Sequence, residues 1–125
     1  MAEPVPPAKA FDAIPGLDAA LGLRQSLGRE TLYRSILGKF VSGHAQDVSA
    51  LATALADGDM TTARRVAHTL KGVSAQIGAM DLRAVAERAE LAIAQGESEV
   101  VLAGLLGELE ESLSMLVAAL AARLE

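Results

Sequence analysis

The sequence predicts an all-α domain: an antiparallel up-down four-helix bundle with an additional short N-terminal helix. Three observations point there. Hydrophobic residues make up 51% of the chain, yet only Phe11, Tyr33 and Phe40 are aromatic, and an Ala/Leu-rich chain of this kind favours packed helices over a β-sandwich. From Leu17 onward there is no proline, the residue that most strongly breaks a helix. Beyond that point apolar residues recur at spacings of three and four, the period of one helix face, and the short polar connections between them make successive helices antiparallel neighbours.

The elements follow in order. Residues 1–15 hold all four prolines, Pro4, Pro6, Pro7 and Pro15, and predict a flexible linker, either a tether to a further domain or an ordinary frayed terminus. Residues 16–125 are the expected folded domain. LDAALGLRQSL at 17–27 predicts a short first helix, stopped by Gly28. The next helix starts near Arg29 and carries Leu32, Tyr33, Ile36, Leu37, Phe40 and Val41 along one face. SGH at 42–44 leaves a bend or a continuous helix open, and Val48, Leu51, Ala52 and Leu55 extend the stripe to DGD at 57–59, a turn. Asp59 or Thr61 caps the third major helix, which runs to Gly78, a natural C-terminal stop. A fourth runs from about Met80 to Gln95, with Leu82, Val85, Ala86, Ala89 and Ile93 on one side, and ends at Gly96. Ser98 or Glu97 opens the last helix. Its stripe of Leu102, Leu105, Leu106, Leu109, Leu113, Leu116, Val117, Leu120 and Leu124 is the longest periodic signal in the chain.

Composition narrows the function classes. Eleven Lys and Arg against sixteen Asp and Glu leave a net charge of −5, which argues against nucleic acid, whose phosphates need a basic face. The absence of cysteine removes thiolate chemistry and a disulfide scaffold and fits a reducing compartment. No apolar run is long enough to span a bilayer, and the start has no signal-peptide pattern, so direct membrane contact is not expected. Two histidines on different segments, His44 and His68, with no cysteine, make zinc a poor fit; His44 reads as a turn or surface residue. The chain has no GxxxxGK[ST] loop for a nucleotide and no GxSxG elbow for a hydrolase.

One stretch does suggest chemistry. AHTLKGVSAQIGA at 67–79 sits in the third major helix. With each residue turning the helix by roughly 100°, and Val66 set at zero, Leu70, Val73 and Ile77 fall within about 40° of it and Ala63 within about 60°. These form the expected buried stripe. His68 falls at roughly 200°, on the solvent side. Gly72 follows one turn later on that side, where alanine would be cheaper by about 1 kcal/mol. A missing side chain lets another surface approach the imidazole. Ala75 also stays small, and Lys71 and Arg64 bring cations within about a turn; a neighbouring helix packed against Gly72 and Ala75 is the other explanation of their size, and the polar flanks weigh against it. A clear approach with cations beside a nucleophile is what a phosphoryl group requires.

HTLKG followed by VSAQIGA resembles the signature of histidine-containing phosphotransfer (HPt) domains, H-x-x-K-G-x-x-x-x-x-G. The likeness extends through LGRETLYRSILGKFVSGHAQDVSAL and ALADGDMTTARRVAHTLKG, over roughly residues 14–122. The resemblance implies that His68 is the phosphorylated residue, Lys71 the cation beside it and Gly72 the small residue that admits the partner, with Arg64 and Ala75 on the receiver-docking face. It also implies a Glu or Gln on the next helix that reaches the imidazole, and the matching position is Glu90. With Leu82 at zero, Glu90 lies about 80° off the apolar stripe, at its edge; taken alone it reads as a solvated surface residue, and Gln76 as a polar helix residue.

The resemblance therefore implies a carrier and not a kinase. Nε2 of His68 would take a phosphoryl group from a receiver-domain aspartate and pass it to a response regulator, with Glu90 fixing the tautomer through Nδ1–H. No cofactor or metal is expected on this domain; Mg²⁺ would sit on the carboxylates of the receiver. Receiver domains of a hybrid histidine kinase or response regulator are the expected partners. A monomer is expected, in the cytoplasm, free or as the cytoplasmic C-terminal domain of a membrane-bound sensor kinase. Two alternatives stand beside this: the phosphoryl-accepting domain of a chemotaxis-type kinase, and a helical docking module without phosphoryl chemistry.

Overall fold

A computed structural model describes residues 11–124. Six helices run through the described residues: α1 (Ala19–Gln25), α2 (Glu30–His44), α3 (Asp47–Ala56), α4 (Met60–Ile77), α5 (Met80–Ala94) and α6 (Glu99–Leu124). None is long and apolar enough to cross a membrane.

Ala45 keeps helical values and Gln46 leaves them, at φ −100° and ψ 4°, so α2 and α3 form a rod bent at that residue; the open choice at 42–44 resolves as a bend just beyond it. His44 turns inward at this bend, half-buried. Its Nδ1 lies 2.8 Å from Asp47 Oδ2 and its ring packs 5.6 Å from that of Phe40. The α2/α3 rod, α4, α5 and α6 form the bundle, with α4 packed between α3 and α5, and α6 closing the ring against α2, α3 and α5. The core is the expected period made solid: Tyr33, Leu37 and Phe40 from α2, Val48, Leu51 and Ala54 from α3, Leu82, Ala86, Ala89 and Ile93 from α5, and Leu109, Leu113, Leu116 and Leu120 from α6 are all buried.

The helix ends are held locally. Asp59 caps α4 by accepting from the Thr62 amide at 3.1 Å, and its carboxyl is held below the usual range first by the Thr62 side chain and then by this amide bond. Ser98 Oγ accepts from the Val101 amide at 3.3 Å at the start of α6. Gly78 ends α4 with φ +84°, the left-handed stop that glycine adopts without strain.

Two expectations need correction. Residues 1–15 do not form a linker throughout. Residues 1–10 lie outside the described residues, but Phe11 and Ile14 are buried in the core, where removing their apolar surface from water stabilises the fold. Phe11 stacks edge-on against Tyr33 with ring centroids 6.1 Å apart. The buried stripe of α4 is also rotated toward Ala67 and Ser74, which are fully buried, leaving Val66 and Val73 half-buried. Ser74 enters the core without an unmet polar group because its hydroxyl donates to Leu70 O at 2.6 Å.

Candidate functional site

The site is built where α4 meets α5. Both helices place small residues in the core, Ala63 and Ala67 from α4 and Ala86 and Ala89 from α5, and small residues let helix backbones approach closely. Glu90 follows Ala89 at the edge of that contact, half-buried, with its carboxylate reaching across to α4. His68 Nδ1 lies 2.5 Å from Glu90 Oε2, and Lys71 Nζ donates to Glu90 Oε1 at 2.8 Å. The three side chains form one bridge, with the carboxylate in the middle.

Their exposures differ in a useful way. The side chains of Lys71 and Glu90 are only 25% and 18% exposed, while that of His68 is 69% exposed. Glu90 is thus a shielded support under an open imidazole. Its carboxyl is held below the ordinary glutamate range, chiefly by the hydrogen bond from Lys71; burial opposes this, and the hydrogen bond from His68 adds to it. An ionised carboxylate can only accept, so the contact puts a proton on Nδ1; in the neutral ring the lone pair is then on Nε2, the nitrogen outside the bridge.

The remaining sequence candidates fall on this face of α4 with one change of meaning. Gly72 is exposed, and a Cβ at that position would meet no atom within 4 Å; no neighbouring helix accounts for the glycine. Arg64 is exposed and forms no ion pair among the described residues. Ala75 departs from the expected open docking position: it is half-buried, and its carbonyl accepts from Gln25 Nε2 at 2.6 Å. A helix does pack there, and that explains the small side chain. Lys71, the expected cation beside His68, donates to Glu90 here.

Sequence reasoning missed the clamp that holds this end of α4. Tyr33, fully buried, donates through its hydroxyl to Ile77 O at 2.8 Å, and burial pushes its phenol well above the usual range, with Asp18 and Asp12 adding to the effect. The Asp18 amide donates to Gly78 O at 2.7 Å and the Asp81 amide to Gly16 O at 3.3 Å. Gly22 passes so close to Ile77 O and the Tyr33 ring that a Cβ would collide with both. The carbonyls that a helix leaves unmatched at its C-terminus are thereby taken up by α1, α2 and the segment before them. The one sequence signal was the pair of aromatic residues, Phe11 and Tyr33, in a chain with almost none.

Comparison with known proteins adds the family. The family model described as Hpt domain matches residues 35–123. The fold superposes with a TM-score of 0.75 on the crystal structure of the HPT domain from an Hpt sensor hybrid histidine kinase of Shewanella, at 22% identity, over 86% of this chain and 92% of that one. No curated protein sequence matches the chain. The family match takes in α3, α4, α5, nearly all of α6 and most of α2, and so the whole of the His68–Lys71–Glu90 bridge. An alignment of that extent makes this chain a member of the Hpt domain family, the phosphocarrier modules of two-component phosphorelays.

Proposed function

We propose that His68 is the residue that carries the phosphoryl group, accepting it from a receiver-domain aspartate and passing it to the aspartate of a response regulator. The observation that carries this reading is an imidazole 69% exposed at its side chain and tethered through Nδ1 to a half-buried carboxylate.

The chemistry follows from that arrangement. The Nε2 lone pair attacks phosphorus, the bond from phosphorus to the aspartyl oxygen breaks, and the aspartate leaves as a carboxylate. The proton on Nδ1 stays in its hydrogen bond to Glu90, so the positive charge that develops on the ring is offset where it forms. Lys71, already within reach of Glu90, supplies a cation near the incoming phosphoryl oxygens. Transfer through a loose, in-line transition state depends mainly on positioning, and a ring fixed at one nitrogen and open at the other is positioned for it. The same steps reversed load the second receiver. Mg²⁺ belongs to the receiver in this scheme. The domain acts in the cytoplasm as a monomer, and receiver domains are its partners.

The test is phosphoryl transfer from purified, phosphorylated receiver domains. The wild-type domain should acquire acid-labile, base-stable label, and His68→Gln should acquire none while keeping its helical circular dichroism. Label retained in His68→Gln would sink the assignment. Label obtained only from an ATP-loaded kinase domain would favour a chemotaxis-type role, and none from any donor would favour a docking module.

A further inference from the structure

Leu27 is the one non-glycine residue with positive φ among the described residues, at 61°. It ends α1. Its amide donates to Arg24 O at 3.1 Å and the Gly28 amide to Leu23 O at 2.9 Å, the pattern of a helix terminus whose left-handed position normally holds Gly or Asn. Leucine there is strained, and its side chain gains nothing by burial, being 78% exposed. The fold has no use for this side chain.

Its position suggests a use. Buried Ser26 anchors the turn from beneath, donating to Gly22 O at 3.0 Å. Gln25 fixes it against α4 by donating to Ala75 O at 2.6 Å and Gln76 O at 3.4 Å. Ala75 follows His68 by seven residues, roughly 10 Å along the helix axis. A partner of standard size covers about 800 Å², enough to reach from His68 to this turn. Charge marks the same strip. Residues 19–29 and 60–80 carry Arg24, Arg29, Arg64, Arg65 and Lys71 and not one Asp or Glu, while the rest of the chain holds six cations and sixteen acids; Asp18, Glu30, Asp59 and Asp81 sit at the ends of these segments, and Glu90 pairs with Lys71, so the excess of positive charge lies on Arg24, Arg29, Arg64 and Arg65. A surface that is cationic within an acidic protein selects a negatively charged partner, and a receiver must gather carboxylates around its aspartate to hold Mg²⁺.

We propose that Leu27 is an apolar anchor for the receiver domain, set at the edge of a cationic strip that runs from the α1–α2 turn along α4 to His68. This rests on the phosphotransfer reading above and extends the docking surface beyond α4. The experiment takes a receiver domain that labels the wild-type protein, chosen from a panel of purified receivers. It then measures Kd for the unphosphorylated, Mg²⁺-loaded receiver and transfer kinetics for Leu27→Asn and Leu27→Gly. Both substitutes tolerate the left-handed backbone, so Tm should equal or exceed that of wild type. Kd and KM should rise about tenfold or more, the worth of one buried leucine, with kcat at saturation unchanged. Unaltered Kd and KM would overturn the anchor and leave the phosphotransfer reading intact. So would a lower Tm in both variants, which would make Leu27 a structural residue. If no receiver labels the wild-type domain, the phosphotransfer reading falls and takes this inference with it.

Discussion

The two halves of α4 are treated in opposite ways. From Arg64 to Gly72 its outer face is bare: His68 is exposed, Gly72 opens onto empty space and Arg64 is unpaired among the described residues. From Ala75 to Gly78 all four carbonyls receive a bond from outside the helix: Gln25 donates to Ala75 O and, at longer range, to Gln76 O, Tyr33 donates to Ile77 O, and the Asp18 amide donates to Gly78 O. The difference teaches how an unshielded reactive group can still be held in place. Rigidity is supplied one end of the helix away from the chemistry, by long-range contacts, and from the side by Glu90, so no atom has to crowd the imidazole itself.

The largest expected effect lies in the gripped half. Gly78→Ala forces a side chain onto a left-handed backbone and drives its Cβ into the Asp18 carbonyl. Stability should fall by at least about 2 kcal/mol, read by chemical denaturation. A variant as stable as wild type would show that the clamp is dispensable. In the bare half the expected outcome is reversed. An added Cβ at Gly72 meets no atom within 4 Å, so Gly72→Leu should raise stability by up to about 1 kcal/mol through helix propensity, while the added bulk slows phosphoryl transfer at least tenfold. Unchanged transfer would mean that the gap beside His68 admits nothing.

The smallest effect sharpens the lateral support. The Glu90 carboxyl is lowered in the folded state, first by the hydrogen bond from Lys71. A lowered carboxylate stabilises the fold fully above its unfolded value, about 4.3 for glutamate, and loses that contribution as pH falls through the folded value. The Tm gap between wild type and Glu90→Gln should therefore be present at neutral pH and close in acid. A gap independent of pH would show that the bridge contributes through shape and not charge.

Much of this was legible in the sequence because it is local. The caps at Asp59 and Ser98, the stop at Gly78, the leucine stripe of α6 and the outward direction of His68 all follow from helical period and end chemistry. Glu90 was different. Its edge position on α5 could be computed, but its partnership with a residue 22 positions earlier could not be read from period alone; the family resemblance pointed to it. The clamp was not legible. Tyr33 and Ile77 are 44 positions apart, and Gln25 and Ala75 are 50 apart. No periodicity links such pairs, and the prolines before residue 16 disguised Phe11 and Ile14 as part of a tail. The Ala75 misreading has the same root: a small residue beside a polar flank looks like an open surface until a distant helix is brought to it.

The openness of the imidazole sets a limit on storage. A phosphoramidate on Nε2 would stand in bulk water with no lid among the described residues, so its survival rests on the intrinsic hydrolysis of the N–P bond and on how soon a suitable acceptor arrives. Such a module is a courier with a short memory. Choice among competing acceptors must then be made by the surrounding contact surface before transfer begins, since nothing at the ring itself turns a wrong one away.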